Sequence, residues 1–106
     1  MSKVVKRKVT VREKRVLKNI LQILKEELDP VKIILFGSRV KKTAWKGSDF
    51  DLAMDMKRPS EEKERVIKTR LEAVSGLYGV DIAYLKSVDA GFKRHVRSTG
   101  KIIYEK

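Results

Sequence analysis

Two short motifs constrain this chain more than any other part of its sequence. Residues 35–39 read Leu-Phe-Gly-Ser-Arg, residues 48–52 read Ser-Asp-Phe-Asp-Leu, and ten residues separate Ser38 from Asp49. Small residues with free backbone amides can hold phosphate. Two carboxylates two positions apart share one face of a strand, where they can hold the divalent metals that phosphate chemistry needs. Together the motifs predict a phosphate site beside a metal site.

The pattern of apolar residues predicts three helices and four strands. Helical spacing covers about 11–28, 60–76 and 89–98, and β-branched or alternating runs cover 31–36, 49–54, 80–85 and 101–104. Because the first two strands follow each other through a loop, we expect a mixed sheet rather than a purely parallel one. The predicted class is α+β, an α/β two-layer arrangement of a small mixed sheet with helices packed on one face.

Length and composition limit the classes of protein to consider. With 106 residues the chain is expected to form one domain, over 10–106, after a basic lead-in at 1–9. There is no apolar run near 18 residues and no apolar stretch typical of a signal peptide, so we expect a cytoplasmic protein without a membrane span. Without cysteine there is no thiolate nucleophile, and the single histidine, His95, makes a Ser-His-Asp triad a poor hypothesis.

The charge of the chain favours negatively charged partners. The formal net charge is +12, from 26 Lys and Arg against 14 Asp and Glu, and such a balance attracts nucleotides, nucleic acid or an acidic protein. A solvated, thermophile-like surface is the alternative, because 38% of the residues are charged and the side-chain amides are limited to Asn19 and Gln22. That alternative explains the abundance of charge but not its sign, so both interpretations stay open.

Three aspartates form the predicted metal site. Asp49 and Asp51 are spaced by about 6–7 Å along one face of a strand and can jointly bind two ions about 3.5–4 Å apart. Oxygen ligands favour magnesium, with manganese as the alternative. Asp81 lies on the polar face of the third strand and joins the other two if the apolar faces of the strands align. Three carboxylates on one sheet face repel one another unless cations sit between them, which favours a metal site.

The Gly-Ser turn is the predicted phosphate site. Gly37 lets the backbone approach phosphate closely, Ser38 adds a hydroxyl donor, and Arg39 can bind phosphate with two parallel hydrogen bonds. Each motif has an ordinary structural explanation by itself, since Gly-Ser is usually only a turn and Asp-x-Asp is often solvated. The combination and its spacing are far more specific.

This combination resembles the nucleotidyltransferase superfamily that includes DNA polymerase beta. Gly37-Ser38, Asp49-x-Asp51 and the later strand aspartate Asp81 are similar above all to its minimal members, the MntA-type antitoxins of HEPN/minimal-nucleotidyltransferase pairs. The resemblance implies a nucleotidyltransferase-like fold in which Gly37 and Ser38 hold the triphosphate and Asp49 and Asp51 bind two magnesium ions. It implies that Asp81 completes one metal site and helps to deprotonate the attacking hydroxyl.

The resemblance also implies a reaction and a partner. The attacking hydroxyl would displace pyrophosphate from the α-phosphate of a nucleoside triphosphate, with ATP the expected nucleotide and AMP the group transferred. Arg39 and Ser48 complete the expected nucleotide-binding residues. The implied acceptor is a tyrosine of a HEPN ribonuclease toxin, which this chain would neutralise as an antitoxin.

Two other functions stay open. The fold could block its partner stoichiometrically, without turnover. The chain could also be a nucleic-acid-binding protein, as its charge suggests, although its aromatic residues are scattered rather than gathered on a basic platform; these are Trp45, Tyr78, Tyr84 and Tyr104.

Overall fold

The structure, a computed structural model, describes residues 11–40 and 49–106, which form three α-helices, four strands and one turn of 3-10 helix. The helices are α1 (Val11–Leu28), α2 (Glu61–Ser75) and α3 (Ala90–Thr99), the strands are β1 (Lys32–Phe36), β2 (Phe50–Met54), β3 (Val80–Tyr84) and β4 (Lys101–Glu105), and the 3-10 turn is Gly37–Arg39. The predicted number and order of helices and strands are confirmed in these residues. The N-terminal lead-in lies outside them, so its division from the domain stays a prediction.

The four strands form one mixed sheet in the order β3-β2-β1-β4. β1 pairs antiparallel with β2 and with β4, whereas β2 and β3 pair parallel. A parallel pair needs a crossover connection, and α2 provides it between β2 and β3. The predicted mixed sheet is therefore confirmed.

Helices α1 and α2 cover one face of the sheet with apolar side chains. In α1, Ile20 and Leu24 recur one turn apart and are fully buried, and Ile67 and Leu71 repeat this spacing in α2. They pack with alternate residues of β2, including Leu52. Burying such side chains stabilises the fold by roughly 1.5–3 kcal/mol each, so this layer is the main core.

Helix α3 packs on the opposite face of the sheet. Its Val96 is fully buried in a second cluster with Ile34, Ala53 and Leu85, whose sheet residues alternate with those of the main core. The predicted α+β class is confirmed. The helices α1 and α2 cover one face as expected, whereas α3 covers part of the other, because apolar residues of the sheet there match its own apolar stripe.

Local capping fixes the ends of two helices. The hydroxyl of Ser60 accepts a hydrogen bond from the backbone amide of Lys63 at 3.1 Å, and the carboxylate of Asp89 accepts one from that of Phe92 at 2.9 Å. Gly76 follows α2 with a positive φ of 62°, which favours glycine.

Within 11–40 and 49–106, no helix combines the length and the apolar character needed to cross a membrane.

Candidate active site

The alternation of β2 places its aspartates on the face that α3 leaves partly open. Phe50, Leu52 and Met54 point into the main core, and therefore Asp49 and Asp51 lie on the other face. In the sheet register, Asp51 lies between Phe36 of β1 and Asp81 of β3. This brings the third predicted aspartate directly beside the second.

The three carboxylates are close enough to affect one another. The pKa of Asp51 is raised above its ordinary value, first by burial, then by the negative charges of Asp81 and Asp49, and also by a hydrogen bond with Asp81. Asp81 therefore points toward the other two aspartates and away from the hydrophobic interior. Like charges held this close favour a proton or a cation between them.

The glycine of the Gly-Ser turn lies against the same carboxylates. Gly37 has a φ of 80°, which side chains rarely adopt, and a Cβ atom there would collide with the carboxylate oxygen Oδ2 of Asp51. Only glycine fits this position. The turn continues as a 3-10 helix, in which the amide of Val40 donates to the carbonyl of Gly37 at 3.2 Å.

A second glycine, Gly79, supports Asp49 and was not predicted from the sequence. Its amide donates to Oδ1 of Asp49 at 3.1 Å, and its carbonyl accepts from the amide of Phe50 at 2.9 Å. A Cβ atom at Gly79 would lie 2.6 Å from that same Oδ1. The sequence signal that could have indicated this role is the glycine's position directly before β3, two residues before Asp81.

The guanidinium of Arg39 lies on the main-core side of β2, opposite the side chains of the aspartates. Its Nη1 donates to Oε2 of Glu13 in α1 at 2.9 Å, and its guanidinium carbon lies 3.9 Å from the centre of the Phe50 ring. Its Nε donates to the backbone carbonyl of Asp49 at 3.3 Å. The structure thus directs the guanidinium toward α1, whereas the sequence predicted a contact with phosphate.

Two other predicted nucleotide contacts are not tested by these residues. Ser48 lies outside the described part of the chain. For Ser38 the backbone is described as part of the 3-10 turn but the side chain is not. Both roles stay predictions.

The carboxylate oxygens of the site suit a hard divalent cation, although the three aspartates are not positioned to coordinate one ion together. Among residues 11–40 and 49–106, no three acidic, histidine or cysteine side chains are grouped so that they could hold a metal ion as they stand. Asp49, Asp51 and Asp81 nevertheless offer carboxylate oxygens from adjacent strands, and Asp81 lies opposite Asp51 in the sheet register. Oxygen donors of this kind fit magnesium or manganese.

A cavity elsewhere in the molecule does not include the carboxylates. It has a volume of about 490 Å³ and lies between α2 and β3 on the side of the main core, where Leu71, Tyr78 and Ile82 line it. The aspartates instead occupy an open face of the sheet.

The sequence matches a known protein family over most of its length. Residues 18–106 match the model of the family described as Polymerase beta, Nucleotidyltransferase. The chain belongs to this nucleotidyltransferase family. The matched range includes Gly37, Asp49, Asp51 and Asp81. No protein of curated function matches the sequence.

Solved structures with the same nucleotidyltransferase fold come from toxin–antitoxin complexes. A toxin–antitoxin crystal structure with AMP-PNP superposes with a TM-score of 0.71 at 22% identity, over 84% of this chain and 73% of that one. A tri-AMPylated Shewanella oneidensis HEPN toxin in complex with MNT antitoxin gives 0.66 at 19% identity, over 91% and 74%. A mutant of the MntA–HpeT complex gives 0.68 at 19% identity, over 84% and 72%. The likeness of this chain to these structures is one of fold.

Proposed function

We propose that this chain is a magnesium-dependent nucleotidyltransferase that transfers AMP from ATP to a protein acceptor. The observation that carries the proposal is the meeting of Asp49, Asp51 and Asp81 beside Gly37. Each aspartate comes from the start of a strand in the parallel pair, and Gly37 comes from the end of the neighbouring strand. Membership of the nucleotidyltransferase family supports the same reaction class.

In the proposed reaction, an acceptor hydroxyl oxygen attacks the α-phosphorus of ATP. A new oxygen–phosphorus bond forms, the bond from the α-phosphorus to the bridging oxygen of the β-phosphate breaks, and pyrophosphate leaves. The proton of the hydroxyl passes to the carboxylate of Asp81, an exposed residue of β3. Bound divalent ions would supply charge neutralisation for the phosphates at Asp49 and Asp51.

The proposed role of the Gly37–Arg39 turn is to hold the triphosphate. Without a side chain at Gly37, phosphate oxygens can reach the backbone amides of the turn, and the glycine leaves room for Oδ2 of Asp51 beside them. A phosphate held at this turn would lie on the same side of the sheet as the carboxylate of Asp51. This closeness favours catalysis through positioning and charge neutralisation.

We further propose that the acceptor lies on a HEPN toxin and that this chain acts as its antitoxin. The support comes from the similar structures, one of which contains AMP-PNP and another a tri-AMPylated HEPN toxin with MNT antitoxin. A net charge of +12 also suits contact with a negatively charged partner or nucleotide.

Labelling of the partner by ATP tests the proposal. The chain and the protein encoded beside it are incubated with magnesium and ATP radiolabelled at the α-phosphate, and the partner is then separated and counted. Wild-type chain should label the partner, and Asp49→Asn should abolish labelling. Asp55→Asn is the matched control, since Asp55 lies at the other end of β2 and pairs with Arg97 at 3.3 Å. Equal labelling by wild type and Asp49→Asn would refute the proposal.

A further inference from the structure

The buried ion pair between α1 and the Gly-Ser turn has no place in the reaction described above. Glu13 and Arg39 meet at 2.9 Å, and their side chains are 0% and 7% exposed. Removing two charges from water is costly unless good geometry and further hydrogen bonds compensate. A buried ion pair therefore need not stabilise the fold. We looked for another role of Glu13 and Arg39 in the contacts that they make.

The guanidinium of Arg39 makes several contacts at once. Besides Glu13, it lies over the Phe50 ring at 3.9 Å and near the Tyr78 ring at 5.6 Å. Its Nε donates to the backbone carbonyl of Asp49 at 3.3 Å. Only a planar group with several donors can bond a carboxylate and a carbonyl while stacking on an aromatic ring, which excludes lysine as an equivalent.

These contacts form a continuous path from α1 to a predicted metal ligand. Glu13 holds Arg39, and Arg39 holds the backbone of Asp49 through its carbonyl. The side chain of Asp49 is then fixed by the amide of Gly79 at 3.1 Å. Arg39 is also the last residue of the turn that begins at Gly37, so one side chain connects the proposed phosphate and metal sites.

We infer that Arg39 is a positioning residue that holds Asp49 ready to bind a divalent ion, and that Glu13 orients Arg39. This inference rests on the proposed function, because it takes Asp49 as a metal ligand. Residues that orient metal ligands typically change metal affinity by about 10–100-fold when they are replaced. Because Arg39 acts here through one backbone hydrogen bond, we expect an effect near the lower end, about 10-fold.

The inference differs from a direct contact between Arg39 and phosphate in a measurable way. A phosphate-binding arginine would lower nucleotide affinity even when metal is saturating. A residue that positions Asp49 would weaken metal binding in the absence of any nucleotide, and high metal concentration would restore nucleotide binding. The contacts with Glu13 and Phe50 favour the second behaviour, because they keep the guanidinium on the side of β2 opposite the carboxylates.

Binding of Mn²⁺ to the whole chain, measured by electron paramagnetic resonance without nucleotide, tests this inference. Arg39→Met keeps a long unbranched side chain beside Phe50 but removes every donor, and it should raise the Kd for Mn²⁺ about 10-fold. Arg39→Lys and Glu13→Gln keep part of the pair and should raise the Kd by smaller factors. Arg70→Met is the control, because Arg70 pairs with Glu26 and Glu27 on the surface between α1 and α2.

The outcomes of this experiment separate the inference on Arg39 from the proposed function. If Arg39→Met and Arg70→Met both lower the melting temperature but only Arg39→Met weakens Mn²⁺ binding, the inference holds. If Arg39→Met does not fold, the same comparison is made with Arg39→Lys and Glu13→Gln. Wild-type affinity in all folded Arg39 and Glu13 variants would overturn the inference while leaving the proposed function intact. A wild-type chain that binds no Mn²⁺ would instead overturn the proposed function and, with it, the inference.

Discussion

Asp51 and Asp81 lie directly opposite each other in the parallel pair of β2 and β3, so their side chains lie on the same face of the sheet. The pKa of Asp51 is raised accordingly, with burial as the first cause and the charges of Asp81 and Asp49 following. The metal-free protein therefore carries unfavourable repulsion that a bound cation would relieve.

Asp51→Asn should stabilise the metal-free protein and abolish its response to magnesium. Removing one of three neighbouring negative charges relieves repulsion, and solvent screening limits the expected gain in melting temperature at pH 7 to roughly 2–4 °C. Thermal unfolding followed by circular dichroism, with EDTA or with magnesium, measures both effects. A lower melting temperature for Asp51→Asn in EDTA would contradict this account of the site.

The stability gain expected for Asp51→Asn depends on pH, because Asp51 can be protonated. A raised pKa in the folded state means that folding favours the protonated carboxyl, so the folded state loses stability as the pH rises through that raised pKa. The advantage of Asp51→Asn should therefore be largest at neutral pH and should shrink as the pH falls toward 4. If the gain in melting temperature of Asp51→Asn stayed constant between neutral pH and pH 4, the gain would come from packing rather than from charge.

Gly37→Ala should damage the site more than an equivalent change at Gly76. Both glycines have positive φ, 80° and 62°, a conformation in which alanine is strained at either position. At Gly37 the new methyl group would also collide with Oδ2 of Asp51, whereas nothing lies within 4 Å at Gly76. Urea unfolding should show the larger loss for Gly37→Ala, and only that variant should lose nucleotide binding. Equal losses in both assays would contradict the predicted contact with Asp51.

The ion pairs between α1 and α2 should stabilise the fold only above acidic pH. The pKa of Glu27 is lowered by hydrogen bonds from Arg70 and then Lys63. A carboxylate with a lowered pKa stabilises the folded state above its ordinary value, 4.5, and this contribution is lost as the pH falls through the lowered pKa. The melting temperature of Arg70→Met should therefore lie below that of wild type at pH 7 and approach it below pH 4.5. A difference independent of pH would indicate lost packing of the Arg70 stem instead.

Neutralisation of a toxin partner separates catalysis from simple binding. If AMP transfer is the mechanism, Asp81→Asn should bind the partner as wild type does but should fail to protect cells that express it. Binding is measured by co-purification, and protection by growth. Protection that survives both Asp51→Asn and Asp81→Asn would support the alternative of a binding module without turnover.

Sequence periodicity was sufficient to predict the elements and the faces of the strands. Alternation in β2 separates Phe50 and Leu52 from Asp49 and Asp51 without any tertiary information, and Ser60 and Asp89 mark the starts of helices by local hydrogen bonding. The meeting of Asp81 with the other aspartates was predicted only on the condition that the apolar faces align. The sheet register satisfies this condition.

Long-range partners could not be predicted in the same way. Arg39 and Glu13 are separated by 26 residues, and no local pattern indicates that they pair. An arginine after Gly-Ser fits phosphate binding equally well by sequence alone. The packing of α3 on the opposite face was not predicted either, since its apolar stripe, with Phe92 and Val96, could pack on either face of a sheet. Gly79 was missed because its contact with Asp49 depends on the pairing of β2 with β3.

The most direct test of the central claim is calorimetric titration of the chain with an ATP analogue whose α–β bridge cannot be cleaved. We predict that wild-type chain binds the analogue with magnesium and loses at least 10-fold in affinity with EDTA, and that the double variant Asp49→Asn, Asp51→Asn binds weakly in both conditions. The control Asp55→Asn should behave as wild type. Binding of equal strength with and without magnesium, or unchanged binding by the double variant, would contradict the claim that these carboxylates form a metal-dependent nucleotide site.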